Sequence, residues 1–258
     1  MSVGGTLTTR AVPRGCSWQG SLASLAGLVV HEDNHLLALF KPGGVLSQAD
    51  QTRDPCLLSA AKQFLVRKYS KRGDAYVGLV HRLDRPCSGV MVFAKTSKAA
   101  ARLSEAFRER RVVKKYLAVV EGALAPEGRL EDRLQQHSRL NKAVVQPGVS
   151  TNAVEGVLKY RVLREFGEET KSLLDVSLST GRKHQIRAQL AHHGHPIVGD
   201  LKYGSSVRFT HRHVALHAYL VSFHHPVSLK QVSVSSNLSN NSINASISNR
   251  WLYPALHL

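Results

Sequence analysis

Residues 81–89 read His81-Arg82-Leu83-Asp84-Arg85-Pro86-Cys87-Ser88-Gly89 and form the most specific stretch of this 258-residue chain. The proline and glycine at its end predict a tight turn directly after Asp84. The apolar segments 74–80 and 89–95 on either side are rich in β-branched residues and predict two short strands. Asp84 is therefore expected at the end of a strand, where its carboxylate either takes part in chemistry or accepts hydrogen bonds from the turn.

The rest of the chain alternates short strand patterns with three helical ones. Further strands are predicted at 29–31, 36–41, 116–121, 154–166, 173–179 and 213–224, and helices near 57–70, 97–111 and 184–193. Ser97 is expected to cap the second helix. This mixture predicts an α+β fold with a mixed, largely antiparallel central sheet and flanking helices. Residues 28–227 are long enough for one substantial hydrophobic core and are predicted to form a single domain.

A basic run at 108–115 leads into the strand that begins near Tyr116. Cationic side chains beside an aromatic ring are the combination that neutralises phosphates and stacks on an unpaired RNA base. A core tyrosine beside a solvated run of charges fits the same pattern, and the residues alone leave both interpretations open.

A second specific run, Thr180-Gly181-Arg182-Lys183-His184-Gln185-Ile186-Arg187, opens the predicted helix 184–193. Thr180 is expected to cap this helix, and Gly194 is expected to end it in the left-handed conformation. Arg187 lies beside the apolar stripe of the helix, so we expect it to be partly buried. A buried guanidinium requires a carboxylate partner.

Together these segments resemble the RluA-type branch of the RNA pseudouridine synthases over about residues 28–227. The resemblance rests on three motifs in the family's order: His81-Arg82-Leu83-Asp84, Lys115-Tyr116 and His184-Gln185-Ile186-Arg187. It implies the pseudouridine synthase fold, with a central RNA-binding cleft across the sheet.

The resemblance also implies a role for five residues. Asp84 would be the catalytic aspartate, and Arg82 would help to displace or replace the target base. Tyr116 would place its ring against the target uracil, Arg187 would pair with Asp84, and Leu190 would form an apolar wall of the uracil pocket.

The implied reaction isomerises uridine to pseudouridine in structured RNA, either rRNA or tRNA, through the aspartate and without a cofactor or metal. The N-glycosidic bond breaks, the base turns while it is held, and it is rejoined to the sugar through carbon. A carboxylate serves either as the nucleophile or as a base that removes a sugar proton, and the sequence leaves both routes open.

The alternative function is a catalytically weak or inactive RNA-binding or assembly factor on the same fold. Two departures from the family pattern favour it. Cys87 stands where the family usually has threonine or serine, so a looser turn is expected because a thiol is a weak donor. The segment after His225-Pro226 also differs from the family's closing segment.

The charge of the chain agrees with an RNA partner, whether rRNA, tRNA or mRNA. Thirty-five Lys and Arg stand against 18 Asp and Glu, a formal charge of +17. Residues 61–116 hold fifteen basic and four acidic side chains, a surplus of eleven. Such a field predicts polyanion binding that weakens with salt, although charge alone does not separate an enzyme from a binding protein. No obligate protein partner is evident.

The residue types argue against several other classes. The three cysteines, at 16, 56 and 87, form no C-x-x-C, and no H-E-x-x-H occurs among the 14 histidines. No metal site is therefore predicted, and a reducing compartment is favoured. The absence of a Gly-rich P-loop argues against a phosphate-handling enzyme. No stretch is apolar enough for a membrane span.

The two ends of the chain differ in composition from its middle. Residues 1–31 contain no acid, two arginines and seven Ser or Thr. Residues 1–27 are therefore interpreted as an extension that targets a mitochondrion or other organelle, with a disordered start on a cytoplasmic enzyme as the alternative. Residues 228–258 are predicted to form an atypical tail of low complexity, because 228–249 hold eight Ser and five Asn.

Overall fold

The computed structural model describes residues 26–52, 54–148, 151–166, 170–209 and 213–236. The chain divides into two compact units, one formed by the residues up to Val113 and from Ala218, the other by Lys114–His217. The sequence predicts one domain over 28–227, whereas the backbone of that range clusters into two units. Residues 1–25 and 237–258, which include most of the predicted N-terminal extension and of the predicted tail, lie outside the described residues.

The described residues contain eleven strands, three α-helices and one 3₁₀ turn. In chain order these are β1 (Val29–Glu32), β2 (Leu36–Lys41), α1 (Leu57–Lys68), β3 (Gly78–Leu79), β4 (Ser88–Ala94), α2 (Ser97–Arg108), β5 (Val113–Glu121), β6 (Glu127–His137), β7 (Lys142–Val145), β8 (Val154–Phe166), β9 (Lys171–Leu178), α3 (Gln185–His192), the 3₁₀ turn (Leu201–Tyr203), β10 (Leu216–His224) and β11 (Gln231–Ser235).

In the first unit the strands follow the order β1-β2-β4-β10, with β3 also paired to β4 and β11 also paired to β10. Strands β2 and β4 are antiparallel, and all their residues are buried. A strand that is covered on both faces has no solvent side, which explains why Leu36–Phe40 and Val90–Ala94 are continuous apolar runs rather than alternating ones. The turn that carries Asp84 leads directly into β4.

In the second unit the strands follow the order β5-β9-β8-β6-β7, and all the neighbouring pairs are antiparallel. Helix α3 packs beside β7. A buried cluster joins the strands, the helix and the 3₁₀ turn through Leu134, Ala143, Ala188 and Tyr203. This packing positions the segment that contains Arg187.

The predicted α+β class is confirmed, because the structure is a largely antiparallel sheet with three helices. Each predicted strand and helix corresponds to an observed one, although their ends differ by up to several residues. Helix α2 is capped by Thr96, whose Oγ1 accepts from the Ala99 N–H at 3.2 Å, so the prediction of Ser97 as the cap is wrong by one residue.

Three strands, β6, β7 and β11, have no counterpart in the sequence-based prediction. In β6 the apolar residues Leu130 and Leu134 are four apart, which fits one face of a helix as well as of a strand, and most of the other side chains are polar. This segment is a strand because β8 on one side and β7 on the other satisfy its backbone hydrogen bonds.

Strand β11 lies within the segment predicted to be a low-complexity tail. Val232 and Val234 alternate with polar residues there, and the strand pairs with β10 from Gln231 to Ser235. Alternation of this kind is a strand signal, which the surrounding serines and asparagines obscure. Residues 228–236 are predicted to belong to the tail. They instead include strand β11, which lies beyond the predicted domain boundary at 227.

Candidate active site

The turn that carries Asp84 is closed by the backbone. The Cys87 N–H donates to the Asp84 carbonyl at 3.0 Å, which confirms the turn predicted after Asp84. Cys87 is buried, and the looser turn expected from its thiol stays a prediction. Gly89 follows with φ at +133°, and a Cβ atom there would come within 2.3 Å of the Ala218 carbonyl oxygen. Only glycine fits that position without displacing β10.

The residue before Asp84 is fixed on both of its backbone groups by one hydroxyl. Ser47 Oγ donates to the Leu83 carbonyl at 2.6 Å and lies 3.2 Å from the Leu83 N–H, which donates back. Ser47 and Leu83 are both buried, so these bonds are shielded from water. Asp84 itself is half-buried. Its carboxylate therefore stands on a backbone that is held on both sides.

The residue after Asp84 is held by a buried lysine. Lys41 is fully buried, and its Nζ donates to the carbonyls of Val45 at 2.8 Å, Pro42 at 3.0 Å and Arg85 at 3.1 Å. Each of the three ammonium hydrogens thus has an acceptor. Sequence reasoning missed Lys41. The only local signal is a lysine that ends an apolar strand directly before a Pro-Gly-Gly turn.

The surroundings of Lys41 lower the pKa of its ammonium group. Burial lowers the pKa of Lys41 to about 8, although the nearby Cys87 and Asp84 raise it and Arg85 lowers it further. The ammonium is thus electrostatically coupled to the Asp84 carboxylate within the same unit.

The two arginines that flank Asp84 have different surroundings. Arg85 is part of the framework, because its Nε donates to the Gly44 carbonyl at 3.0 Å and its Nη2 lies 2.6 Å from Asp54 Oδ2. Arg82 is exposed to solvent. An exposed guanidinium beside the turn is compatible with contact to RNA, and the role of Arg82 stays a prediction.

His81, the first residue of the motif, anchors the segment to β4 and α2. Its Nε2 accepts a hydrogen bond from the Val92 N–H at 2.9 Å, and its ring stacks on Phe107 with centroids 4.7 Å apart. Since Nε2 is the acceptor, the neutral ring carries its proton on Nδ1. His81 is therefore a structural member of the motif.

Tyr116 lies in β5 of the second unit, opposite Val176 of β9, and is half-buried. The strand begins at Val113, three residues earlier than predicted. Of the neighbouring lysines, Lys115 pairs with Asp175 at 3.4 Å, and Lys114 Nζ lies 3.4 Å from the Thr180 carbonyl oxygen. A ring that keeps part of its surface accessible is compatible with stacking on a base, and this role stays a prediction.

Arg187 lies in α3 and is buried, as its position beside the apolar stripe predicts. Its carboxylate partner within the second unit is Asp200, with Nε to Oδ2 at 2.6 Å and Nη2 to Oδ1 at 2.9 Å. The guanidinium also lies 5.0 Å from the centroid of the Tyr203 ring. A bidentate pair of this kind fixes the orientation of the arginine. The implied pairing of Arg187 with Asp84 stays a prediction.

Asp200 and Tyr203 were not singled out from the sequence. Tyr203 is buried, and its hydroxyl donates to the Ala143 carbonyl at 3.1 Å and accepts from the Ala143 N–H at 2.9 Å. The hydroxyl is also 2.9 Å from Nδ1 of His184. The available signal was the run Gly199-Asp200-Leu201-Lys202-Tyr203-Gly204, which carries a buried acid and a ring between two glycines.

The two ends of helix α3 are formed by residues in the left-handed conformation. His184 has φ at +56° and is the N-cap residue, without a side-chain cap. Thr180 instead donates through Oγ1 to Gln185 Oε1 at 2.8 Å, so the prediction that Thr180 caps the helix is wrong. At the other end, Gly194 has φ at +87° and ends the helix in the left-handed conformation, as predicted.

The C-terminal turn of α3 is a Schellman motif. The Gly194 N–H donates to the Ala191 carbonyl at 3.1 Å, and the His195 N–H donates to the Leu190 carbonyl at 2.9 Å. Leu190 is fully buried in the second unit. Its assignment as a wall of the uracil pocket stays a prediction.

The described ranges contain no group of three or more His, Cys, Asp or Glu side chains arranged to hold a metal ion. The same ranges contain no helix that is both long and apolar enough to cross a membrane.

Comparison with known proteins gives one consistent family. Residues 35–192 match the family model described as RNA pseudouridylate synthase. The tRNA pseudouridine synthase C of Haemophilus ducreyi is 33% identical over 224 residues, which cover 81% of this chain and 90% of that protein. The ribosomal large subunit pseudouridine synthase D of Xylella fastidiosa is 36% identical over 213 residues, 77% of this chain and 62% of that protein.

Solved structures show the same fold. Human RNA pseudouridylate synthase domain containing 4 superimposes with a TM-score of 0.70 at 23% identity, covering 87% of this chain and 94% of that one. Human RNA pseudouridylate synthase domain containing 1 gives a TM-score of 0.66 at 26% identity and covers 84% of each chain.

These matches confirm the family that the three motifs indicate, together with the predicted enzyme class, an isomerase. The matched range contains all three motifs, from His81 through Tyr116 to Arg187. This chain therefore belongs to the RNA pseudouridylate synthase family, whose members are isomerases that act on RNA.

Proposed function

We propose that this protein isomerises uridine to pseudouridine in structured RNA, with the Asp84 carboxylate as its catalytic group. The observation that carries the proposal is the rigid support of Asp84. Ser47 fixes the preceding residue through both backbone groups, and Lys41 holds the following carbonyl at 3.1 Å. Catalytic groups need such support, because a small misplacement of a reacting atom costs much of the rate.

The chemistry requires one carboxylate and no added cofactor. The bond between N1 of uracil and C1′ of ribose breaks, the base rotates within the site, and a bond forms between C5 and C1′. C5 then loses its hydrogen to solvent as a proton, and N1 takes up a proton from solvent, so that the product is an isomer of uridine. Asp84 acts either by attack as a nucleophile or by removal of a sugar proton, and both routes need it ionised.

The other four residues bind the substrate in this proposal. The exposed Arg82 helps to displace the target base from the RNA, and Tyr116 places its ring against the uracil. Arg187, oriented by Asp200, pairs with Asp84 during the reaction, and Leu190 forms an apolar wall of the pocket. The target nucleotide must leave its stack to reach such a group of side chains.

The substrate class is rRNA or tRNA. The relatives are named for both, one a tRNA enzyme and one a large ribosomal subunit enzyme. The formal charge of +17 supports binding to a polyanion of either kind.

The decisive test is release of tritium from RNA that carries [5-³H]uridine, measured with wild-type protein and with Asp84→Asn. Total rRNA and total tRNA are assayed separately. We expect release with wild type and a loss of at least about a thousandfold in the variant, because a catalytic carboxylate contributes several orders of magnitude. RNA affinity in a filter-binding assay should change by less than about threefold, since one uncharged isostere replaces one carboxylate.

The matched control is Asp50→Asn, the same chemical change at an exposed aspartate of the same unit, which should keep full activity. Near wild-type activity of Asp84→Asn would overturn the catalytic assignment. If wild-type protein binds RNA but releases no tritium from either pool, the protein is an RNA-binding or assembly factor instead.

We also propose that residues 1–27 direct the protein to a mitochondrion or other organelle and that residues 28–227 carry the catalytic activity. The composition of the first 31 residues supports the targeting role. A fusion of residues 1–27 to a fluorescent protein should reach the organelle in cells, and diffuse cytoplasmic fluorescence would contradict this proposal.

A further inference from the structure

Three lysines converge on the hairpin that joins β6 to β7. Lys202 Nζ donates to the Asn141 backbone carbonyl at 2.8 Å, and Lys183 Nζ donates to Oδ1 of the same residue. Lys142 follows Asn141 in the chain, and its Nζ lies 4.7 Å from the centroid of the Tyr203 ring. The ammonium groups therefore come from three separate segments and meet at one place on the second unit.

Nothing among the described residues neutralises these charges by an ion pair. Lys142, Lys183 and Lys202 make no salt bridge with a carboxylate in the ranges that the structure describes. Burial and the positive charges of Arg187, Lys183 and Lys142 lower the pKa of Lys202, whereas Asp200 raises it. Like charges repel one another, and an anion that binds among the three lysines offsets their repulsion.

The cluster is joined to Arg187 through one ring. Tyr203 lies 5.0 Å from the Arg187 guanidinium and 4.7 Å from Lys142 Nζ. The ring is buried and its hydroxyl is held by the Ala143 backbone, so the position of the ring is fixed by packed structure. The lysines thus lie beside the arginine that the proposed function assigns to the substrate site.

We propose that Lys142, Lys183 and Lys202 form a phosphate-binding surface for the RNA strand next to the target nucleotide. This inference rests on the proposed function, which places the nucleotide near Arg187. A nucleotide that leaves its stack pulls its flanking phosphates towards the protein, and those phosphates require cationic contacts. Two of these ammonium groups, those of Lys183 and Lys202, hydrogen-bond to Asn141, and Lys142 is its neighbour in the chain, so the three form a compact site for phosphates.

Two exposed apolar side chains favour RNA over an acidic protein segment as the occupant. Leu140, beside Asn141 in the chain, is 62% exposed, and Leu201, beside Lys202, is 44% exposed. Apolar surface between cations matches a strand in which phosphates alternate with ribose rings and bases. An acidic peptide would offer carboxylates without that alternation.

The test measures the salt dependence of RNA binding by the full chain. The variant Lys142→Gln/Lys183→Gln/Lys202→Gln keeps polar side chains that can donate hydrogen bonds while it removes three charges. With total tRNA and rRNA as probes, the slope of log K against log[salt] should fall by about 2, because each lost phosphate contact removes about 0.7 from a single-strand slope. Affinity at low salt should fall at least tenfold.

The matched control removes the same charge from three exposed lysines of the other unit, Lys71→Gln/Lys98→Gln/Lys230→Gln. It should change the slope much less. A slope change equal to that of the cluster variant would mean that only net charge matters, which overturns the proposal. Arginine at all three cluster positions should restore the slope.

A second readout separates the apolar contribution from the charged one. Leu140→Ser/Leu201→Ser should weaken tRNA binding about threefold or more without changing the salt slope, since no charge is removed. If the glutamine variant binds RNA with an unchanged slope but loses binding to polyglutamate, the surface serves an acidic protein and the proposal is wrong.

The fate of this proposal can be distinguished from that of the proposed function. In the tritium assay the glutamine variant should raise KM with little change in kcat, because the lysines hold flanking phosphates and do not touch the reacting atoms. If wild type releases tritium but the salt slope of the glutamine variant is unchanged, the proposed lysine surface is wrong and the proposed isomerase activity still stands. If the salt slope of the glutamine variant is reduced but wild type releases no tritium, the lysines bind RNA and the proposed isomerase activity is wrong.

Discussion

At the scale of single residues, Lys41 is a fully buried cation in the candidate site. Its ammonium is fully buried, yet it has three carbonyl acceptors and lies near Asp84. A buried cation is tolerated only where such partners replace its lost water. The lysine therefore joins the segment 42–45 to the turn that carries Asp84.

Replacement of Lys41 by Met should destabilise the protein by about 2 kcal/mol near pH 7, because three buried carbonyls lose their donor while the cost of burying a charge is relieved. Activity should fall as well, since Arg85 O, the carbonyl next to Asp84, loses its anchor. Urea unfolding and the tritium assay measure the two effects.

The pH dependence identifies the contribution of the charge. The folded-state pKa of Lys41 is lowered to about 8 from 10.5, so the unfolded chain binds more protons between these values. Wild-type stability relative to Lys41→Met should therefore rise as pH increases from 8 to 10.5, by up to about 1.4 kcal/mol per pH unit. Lys98→Met on the exposed surface serves as the control. A stability difference that is constant over this range would contradict the lowered pKa of Lys41.

At the scale of elements, helix α3 depends on the ion pair that joins it to the segment before the 3₁₀ turn. Arg187 and Asp200 are both nearly inaccessible to solvent, with side-chain exposures of 4% and 1%. The Schellman motif at Gly194 holds the other end of the helix. The short helix is thus stable because of its tertiary attachments rather than its length.

Replacement of Asp200 by Asn should cost about 3 kcal/mol of unfolding free energy, because it leaves the buried Arg187 guanidinium without a counter-charge. Urea unfolding of the full chain measures this cost. The double variant Arg187→Met/Asp200→Leu should be less destabilised than Asp200→Asn, since it removes both charges together. A double variant that is less stable than Asp200→Asn would contradict this prediction. It would show that the ion pair contributes more stability than is lost by leaving one charge unpaired.

At the scale of the whole molecule, acid stability should depend on one fully buried histidine. Burial lowers the pKa of His217 to about 3, so the folded protein keeps this ring neutral while the unfolded chain protonates it near 6.5. The unfolded state therefore binds more protons between pH 3 and 6.5, and stability falls as pH decreases through this window.

The variant His217→Gln should lose this part of the acid sensitivity. Relative to the variant, wild-type stability should decrease by up to about 1.4 kcal/mol per pH unit below pH 6.5. Urea unfolding at several pH values measures the difference, and the exposed His192→Gln is the matched control. Parallel pH profiles for wild type and His217→Gln would rule out the buried ring as the source.

The sequence by itself determined the features that have local signals. Continuous apolar runs predicted the buried strands β2 and β4, and Pro-x-x-Gly predicted the turn after Asp84. Gly194 marked the end of α3 for a similar reason, since its conformation suits glycine. The three short motifs indicated the family, because each is a specific run of neighbouring residues.

Only the tertiary structure decided which distant residues support the candidate site. Ser47 reaches Leu83 across 36 positions, and Lys41 reaches Arg85 across 44. The two leucines of β6 are four apart, which fits one face of a helix as well as of a strand, and its pairing with β7 and β8 decides that it is a strand. Hydrogen bonds and charge pairs of this kind depend on which segments the fold brings together, and a local pattern carries no record of a partner many residues away.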